Sequence, residues 1–209
     1  MLRHLFSADY LKSMLYLVPA ILLAITCHEF AHGFVSYKLG DPTPKRDGRL
    51  SLNPFAHLDL VGTVCLLVFG MGWARPVQVN PTSYKNRKTG TVLVSLAGPL
   101  VNYLLAFLGM LLYVAVNMAG YDGIWFSYLA LINIGLGTFN LIPVPPLDGS
   151  HVLEELVPGV QRLYCRIGRY AMPILVLCLY TGVLRKPLDY VNTAVFEGMA
   201  RAAIGIFGW

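Results

Sequence analysis

The chain has 209 residues, 56% of them hydrophobic and 13% charged, with a net charge of +5 and a mean hydropathy of +0.60. Average proteins carry about 25% charged residues, so a soluble globular domain is excluded and an integral, multi-pass membrane protein is implied. The positive charge is no nucleic-acid signature, because the basic residues sit in loops rather than on one face. They read as topology signals and as contacts to anionic lipid headgroups.

Met1 to Lys12 is short and mildly amphipathic and is expected at the interface. It has no cleavable signal pattern, and the apolar run behind it is expected to be retained. That run, Ser13 to Lys38, is long enough to cross a bilayer. Between Ser13 and Tyr37 its only fully charged residue is Glu29. Glu29 belongs to ITCHEFAHGFV, where His28, Glu29 and His32 stand in the order H-E-x-x-H. On a helix the two histidines share one face, one turn apart, so both imidazoles can reach one metal ion. Glu29, beside them, can take a proton from an attacking water, the zinc-peptidase arrangement. The bland alternative is a metal-free polar patch between packed helices. Ionisable groups at membrane depth are costly and functional by default, which favours the metal site.

Gly40 to Asp59 is a polar loop with Lys45, Arg46 and Arg49. Leu60 to Ala74 is uncharged but only 15 residues long, short for a crossing. Arg75 to Lys88 is again basic. A re-entrant Leu60 run leaves both basic loops on the cytoplasmic side, as the positive-inside rule prefers. Trp73 to Val79 is expected to be an extended edge segment, with Pro76 confining it to an edge. Thr91 to Val116 predicts a second spanning helix that contains Ser95 to Asn102, SLAGPLVN. Its small residues permit close helix contact. Pro99 predicts a kink. Asn102 reads mainly as a bond between helices, with a role in the site as the lesser reading.

Gly123 to Leu147 predicts a third helix, ending near Leu141 and broken by Pro143, Pro145 and Pro146. Asp148 follows at once, either on an unwound segment, which membrane depth tolerates only against protein or a cavity, or on an ordinary helix-ending turn at the surface. With helix two going out and helix three returning, Asp148 arrives at the depth of His28 and His32. A zinc site needs three protein ligands and an open position. Asp148 is the first candidate for the third ligand, with His57 and His151 as rivals. Tyr170 to Leu184 is a short apolar run that could span if Arg169 and Arg185 snorkel or if its helix starts earlier. Leu188 to Phe207 carries Asp189, Thr193, Glu197 and Arg201 at four-residue spacing. It is either a spanning helix packed by that polar stripe or an interfacial one. Cys27, Cys65, Cys165 and Cys178 have no C-x-x-C spacing, and no disulfide framework is expected.

HEFAH, GWARPVQVNP, SLAGPLVN and NLIPVPPLDG (Asn140 to Gly149) together resemble the site-2 protease family of intramembrane zinc metalloproteases, over roughly Ala24 to Leu153. The resemblance implies an all-α fold with a three-helix core and flanking helices. It implies one Zn²⁺ per chain held by His28, His32 and Asp148, with Glu29 as general base. It implies that Asn140 helps hold the substrate or the oxyanion. Substrates would be transmembrane segments of other membrane proteins. The chain reads as one domain, 1–209, with a core over about 13–153 and C-terminal helices over 154–209. No appended module is apparent, as expected of a core-only member. Two rivals stay open. An iron hydroxylase or desaturase needs many more histidines than the five here. A catalytically silent helix-binding protein has no use for Glu29.

Overall fold

The computed structural model describes residues 8–59, 62 and 74–208. The interface segment expected at the N-terminus falls largely outside them. So does the expected re-entrant run, of whose interior residue 62 alone is described.

The described residues form helices joined by short loops. Seven helices are α1 (Ala8–Lys38), α2 (Thr43–Arg46), α3 (Arg87–Met118), α4 (Ile124–Asn140), α5 (Asp148–Leu156), α6 (Val160–Tyr180) and α7 (Arg185–Ile206). Short 3-10 turns lie at Pro54–Ala56 and Pro81–Ser83. Asparagines start several of these elements. Asn53, Asn80 and Asn86 each accept a backbone N–H of the turn that follows, satisfying a donor that the helix start leaves free. Among the described residues three helices are long and apolar enough to cross a membrane: Lys12–Lys38, Arg87–Met118 and Val160–Tyr180. The last begins ten residues before the apolar run at Tyr170, the earlier start that is one of two ways for that run to cross. Helix α4, with 17 residues, rises about 25 Å and falls short of a typical hydrocarbon core.

Helices α1, α3 and α4 pack against one another in all three pairings and make the central core. Small residues allow it. Ala20, Ala24, Ala106 and Ala130 are fully buried. A Cβ on Gly109 would lie 3.1 Å from the Phe126 carbonyl oxygen, so α3 and α4 touch backbone to backbone. On the opposite side of α3, Leu100, Leu104, Leu108 and Leu112 are exposed at four-residue spacing, as expected of a lipid-facing stripe.

The C-terminal helix is not packed by its polar stripe. Phe196, Met199, Ala200 and Ala203 face the bundle and join Met110 and Ala130 in an apolar cluster. The polar stripe points outward. Asp189 pairs with Arg185 at 3.6 Å and Glu197 with Arg201 at 4.0 Å, all four side chains exposed. Burying those charges would cost more than any contact they could make, so the apolar face takes the interface. Cys27, Cys165 and Cys178 are free thiols.

The segment 74–84 is tied to the end of α1. Asp41 is fully buried and accepts from Ser36 Oγ (2.8 Å), Asn80 N (2.7 Å) and Thr43 N (2.9 Å). Ser36 Oγ also meets Tyr84 Oη at 2.8 Å. Burial opposes ionisation of Asp41, but these donors outweigh it and hold its carboxyl below the ordinary range. A depressed folded pKa stabilises the fold above the unfolded value of about 3.9 and loses that contribution as pH falls through the folded pKa. Thermal midpoints recorded across acid pH should therefore drop for wild type below about pH 4. In Asp41→Asn that part of the drop should vanish. Parallel wild-type and variant curves would rule Asp41 out as the source.

Candidate metal centre

Helix α1 places His28 and His32 one turn apart on its buried face. The third member comes from the far side of the proline-rich break. Asp148 lies neither on an unwound segment nor on a helix-ending turn but opens α5 directly after the loop 141–147. The three prolines end α4, and an aspartate at a helix start is favoured by the helix dipole. Gly149 lets this turn close. A Cβ there would collide with the Leu141 carbonyl at the end of α4.

The resulting group is tight. His28 Nε2 and His32 Nε2 stand 3.0 Å apart. Asp148 Oδ2 lies 3.2 Å from the first and 3.3 Å from the second. Both imidazoles are held from behind. His28 Nδ1 donates to Asn102 Oδ1 at 2.6 Å and His32 Nδ1 donates to the Val94 carbonyl at 2.7 Å. Each acceptor requires the proton on Nδ1, so in the neutral tautomers both Nε2 atoms present lone pairs. Asp148 Oδ2 is buried without a hydrogen-bond partner. Three electron-rich atoms therefore converge where water is scarce. A single proton on one Nε2 can satisfy one contact and leaves the others repulsive. One cation bound to all three satisfies them together. The separations match a tetrahedral zinc site, whose ligand-to-ligand edge is about 3.3 Å. Among the described residues these three make the group whose ligand atoms could hold a metal.

Glu29 is half-buried on α1 beside this group. Its Oε2 accepts the backbone N–H of Val77 at 2.9 Å. In the segment carrying Val77, Ala74 bridges Leu58 in antiparallel fashion, and the Arg75 N–H donates to the His57 carbonyl at 2.9 Å. The described part of the expected edge makes this one isolated bridge and belongs to no strand.

Comparison with known proteins agrees with this chemistry. Peptidase family M50 matches residues 118–181. A Bacillus subtilis (strain 168) protein named "Putative zinc metalloprotease YwhC" is 41% identical over 181 residues, covering 82% of this chain and 83% of that protein. The chain belongs to peptidase family M50, the site-2 proteases. "Putative zinc metalloprotease Rip2" of Mycobacterium tuberculosis (strain ATCC 25618 / H37Rv) is 29% identical over 184 residues, covering 84% of this chain and 70% of that protein. "Zinc metalloprotease MJ0392" of Methanocaldococcus jannaschii is 26% identical over 150 residues, with 70% of this chain matched to 36% of that protein. No solved structure matches.

The M50 chain keeps the other candidates apart from the cluster. His57 is fully buried and its Nε2 is engaged with the Ser51 carbonyl at 2.8 Å. His151 is exposed on α5. Asn140 ends α4, half-buried, and its Nδ2 donates to the Leu136 carbonyl of its own helix at 3.0 Å.

Asn102, read from sequence mainly as a bond between helices, serves both purposes. Its Nδ2 donates to the Ala24 carbonyl (3.2 Å) and to Asn133 Oδ1 (2.8 Å), and Asn133 Nδ2 donates to the Leu129 carbonyl (2.9 Å). This fixes which amide atom of Asn102 faces His28. Polar bonds between membrane helices average only about 0.6 kcal/mol, a small return for two fully buried asparagines. Orienting His28 is the larger reason for them. Gly98 is the other unforeseen contributor. A Cβ there would sit 2.5 Å from His32 Nε2 and 2.6 Å from His28 Cε1, so α3 can cover the pair only with glycine at this position. Asn102→Leu removes the acceptor behind His28, and zinc affinity should fall about 10–100-fold, as for other outer-shell partners of metal-bound histidine. Asn102→Asp keeps an acceptor there and should retain most of it. Competition with a chromophoric chelator reads both, and a leucine variant that holds zinc like wild type would refute the orienting role.

Proposed function

We propose that this metalloprotease hydrolyses peptide bonds within or near transmembrane helices of membrane-protein substrates, using one zinc ion per chain. The convergence of His28 Nε2, His32 Nε2 and Asp148 Oδ2 within 3.0–3.3 Å of one another carries the reading. These three residues would hold the metal. When bound, zinc would supply a Lewis acid that polarises the scissile carbonyl and lowers the pKa of water to about 7. Glu29 accepts the proton of the attacking water at its carboxylate and delivers it to the leaving amine. The Val77 N–H fixes one oxygen of that carboxylate and leaves the other for the transfer. Asn140, at the mouth of the loop leading to Asp148, takes the substrate- or oxyanion-holding role by family resemblance.

A substrate helix shields its amides by its own hydrogen bonds and must unwind locally before attack. The segment at 74–79 offers an edge on which the unwound strand can pair. The site lies nearer the cytoplasmic side, since both basic loops flank it. Cysteine labels placed in Gly40 to Asp59 and in Arg75 to Lys88 should both react from the cytoplasm, and labels reporting opposite sides would overturn this orientation. The activity itself is tested by incubating a tagged transmembrane substrate with wild type and with Glu29→Gln, zinc content being measured in both. Equal cleavage by the two proteins would sink the proposal.

A further inference from the structure

The loop after α1 folds back beside that helix. A Cβ on Gly33 would touch Leu50, Pro44 and Val77 at 3.2–3.3 Å. Between this loop and the segment at 74–79 lies a cavity of about 560 Å³, apart from the metal cluster. Arg49, Arg75, Gln78, Phe55 and Asp47 are among its walls.

Arg49 is the unusual member. It is only 7% exposed. Its Nη1 donates to the Ala56 carbonyl, and among the described residues no carboxylate stands within ion-pair distance. Buried guanidinium groups are ordinarily paired with an anion, because one neutral carbonyl does not offset the loss of hydration. The acid in the wall, Asp47, is exposed, stands 3.7 Å from Arg46 and makes no ion pair with Arg49. Arg75 brings a second, exposed guanidinium to the same cavity. Two cations sharing one space repel until an anion joins them.

The neighbouring side chains indicate where that anion comes from. Phe55 is 80% exposed and Leu52, in the same loop, 62%. In an integral membrane protein such side chains belong at the bilayer interface, where the lipid phosphates also lie. We propose that this cavity binds the phosphate of an anionic phospholipid, held by the forked donors of Arg49 and Arg75 while Phe55 and Leu52 lie against its acyl chains. Arginine suits this role because its planar fork matches phosphate oxygens in pairs. The site is distinct from the metal cluster but shares the segment that carries Val77. A bound lipid would brace the backbone that fixes Glu29.

Native mass spectrometry of the delipidated protein tests the assignment, with phosphatidylglycerol, phosphatidylcholine, inorganic phosphate and an acidic peptide titrated separately. Phosphatidylglycerol should bind in preference to phosphatidylcholine. Arg75→Gln should weaken it about fivefold, the effect of one basic side chain at an anionic lipid surface, and Arg49→Gln at least as much. Arg75 is exposed, so its variant reports on the site even where Arg49→Gln fails to fold. Equal binding of the two lipids, or wild-type phosphatidylglycerol affinity in Arg75→Gln, overturns the proposal. Full displacement of the lipid by inorganic phosphate at equal concentration would instead make this a free-phosphate site. Stronger binding of an acidic peptide would make it a polypeptide subsite. Both results also overturn the lipid assignment.

Discussion

Asp148→Ala is expected to lose both zinc and proteolysis, although the residue lies more than a hundred positions from His28 and His32 in the chain. The substitution removes one of three converging ligand atoms. Two imidazoles on one helix turn still bind divalent metals, but an open tetrahedral site with two protein ligands exchanges its metal readily. Asp148→Asn is a sharper comparison. It keeps the size of the side chain and an acceptor oxygen, and it removes the negative charge that favours zinc at a buried site. It should fall between alanine and wild type in zinc retention. Metal analysis after dialysis against a mild chelator, set beside cleavage of a tagged membrane helix, decides the matter. If Asp148→Ala keeps stoichiometric zinc while His57→Ala or His151→Ala loses it, the ligand set is wrong. The buried engagement of His57 and the exposure of His151 argue against that outcome.

The parts of this site differ in how far the sequence reveals them. His28, Glu29 and His32 are neighbours on one helix, so their geometry follows from the 3.6-residue repeat alone. Asp148 follows from counting crossings and noticing where prolines must break a helix. That count reaches the depth but misses the local conformation: the prolines stop α4 at Asn140, and a new helix starts at Asp148 itself. Asn102, Asn133, Val94 and Gly98 lie beyond such reasoning. Whether α3 turns Asn102 toward His28 or toward lipid depends on helix rotation, and a run of uniformly apolar residues does not encode rotation strongly. The cue that was present is SLAGPLVN, small residues with one amide in a helix otherwise rich in leucine. It announces close packing without saying against what. Val94 and Val77 act through their backbones, so their side chains carry no sign of the role. In α7 the polar repeat suggested a packed stripe, yet the aliphatic and small residues between those charges form the interface.

Glu29→Gln should leave zinc in place and lower cleavage by at least the ~10²–10⁴ typical of a lost general base. The separation of these two effects rests on geometry. Glu29 is not a member of the His28, His32 and Asp148 group, so the metal is not expected to depend on its charge. Glutamine has the same length, and its carbonyl oxygen can still accept the Val77 N–H that holds the side chain now. The substitution therefore keeps the packing and the backbone bond. It removes only the ability to take up a proton near neutral pH and return it. The substrate should still bind, so the variant should form a stable complex with a transmembrane helix that wild type cleaves. Glu29→Ala is less informative, because it also frees the Val77 N–H and releases the segment beside the site. Three readouts distinguish the possibilities: zinc content, substrate co-purification and cleavage rate. Zinc and substrate retained with cleavage lost assigns the proton transfer to Glu29. Zinc lost in the glutamine variant would make Glu29 part of the metal's support instead. Cleavage near wild-type rate would mean that another group takes the proton, and the H-E-x-x-H reading of this helix would fail at its centre.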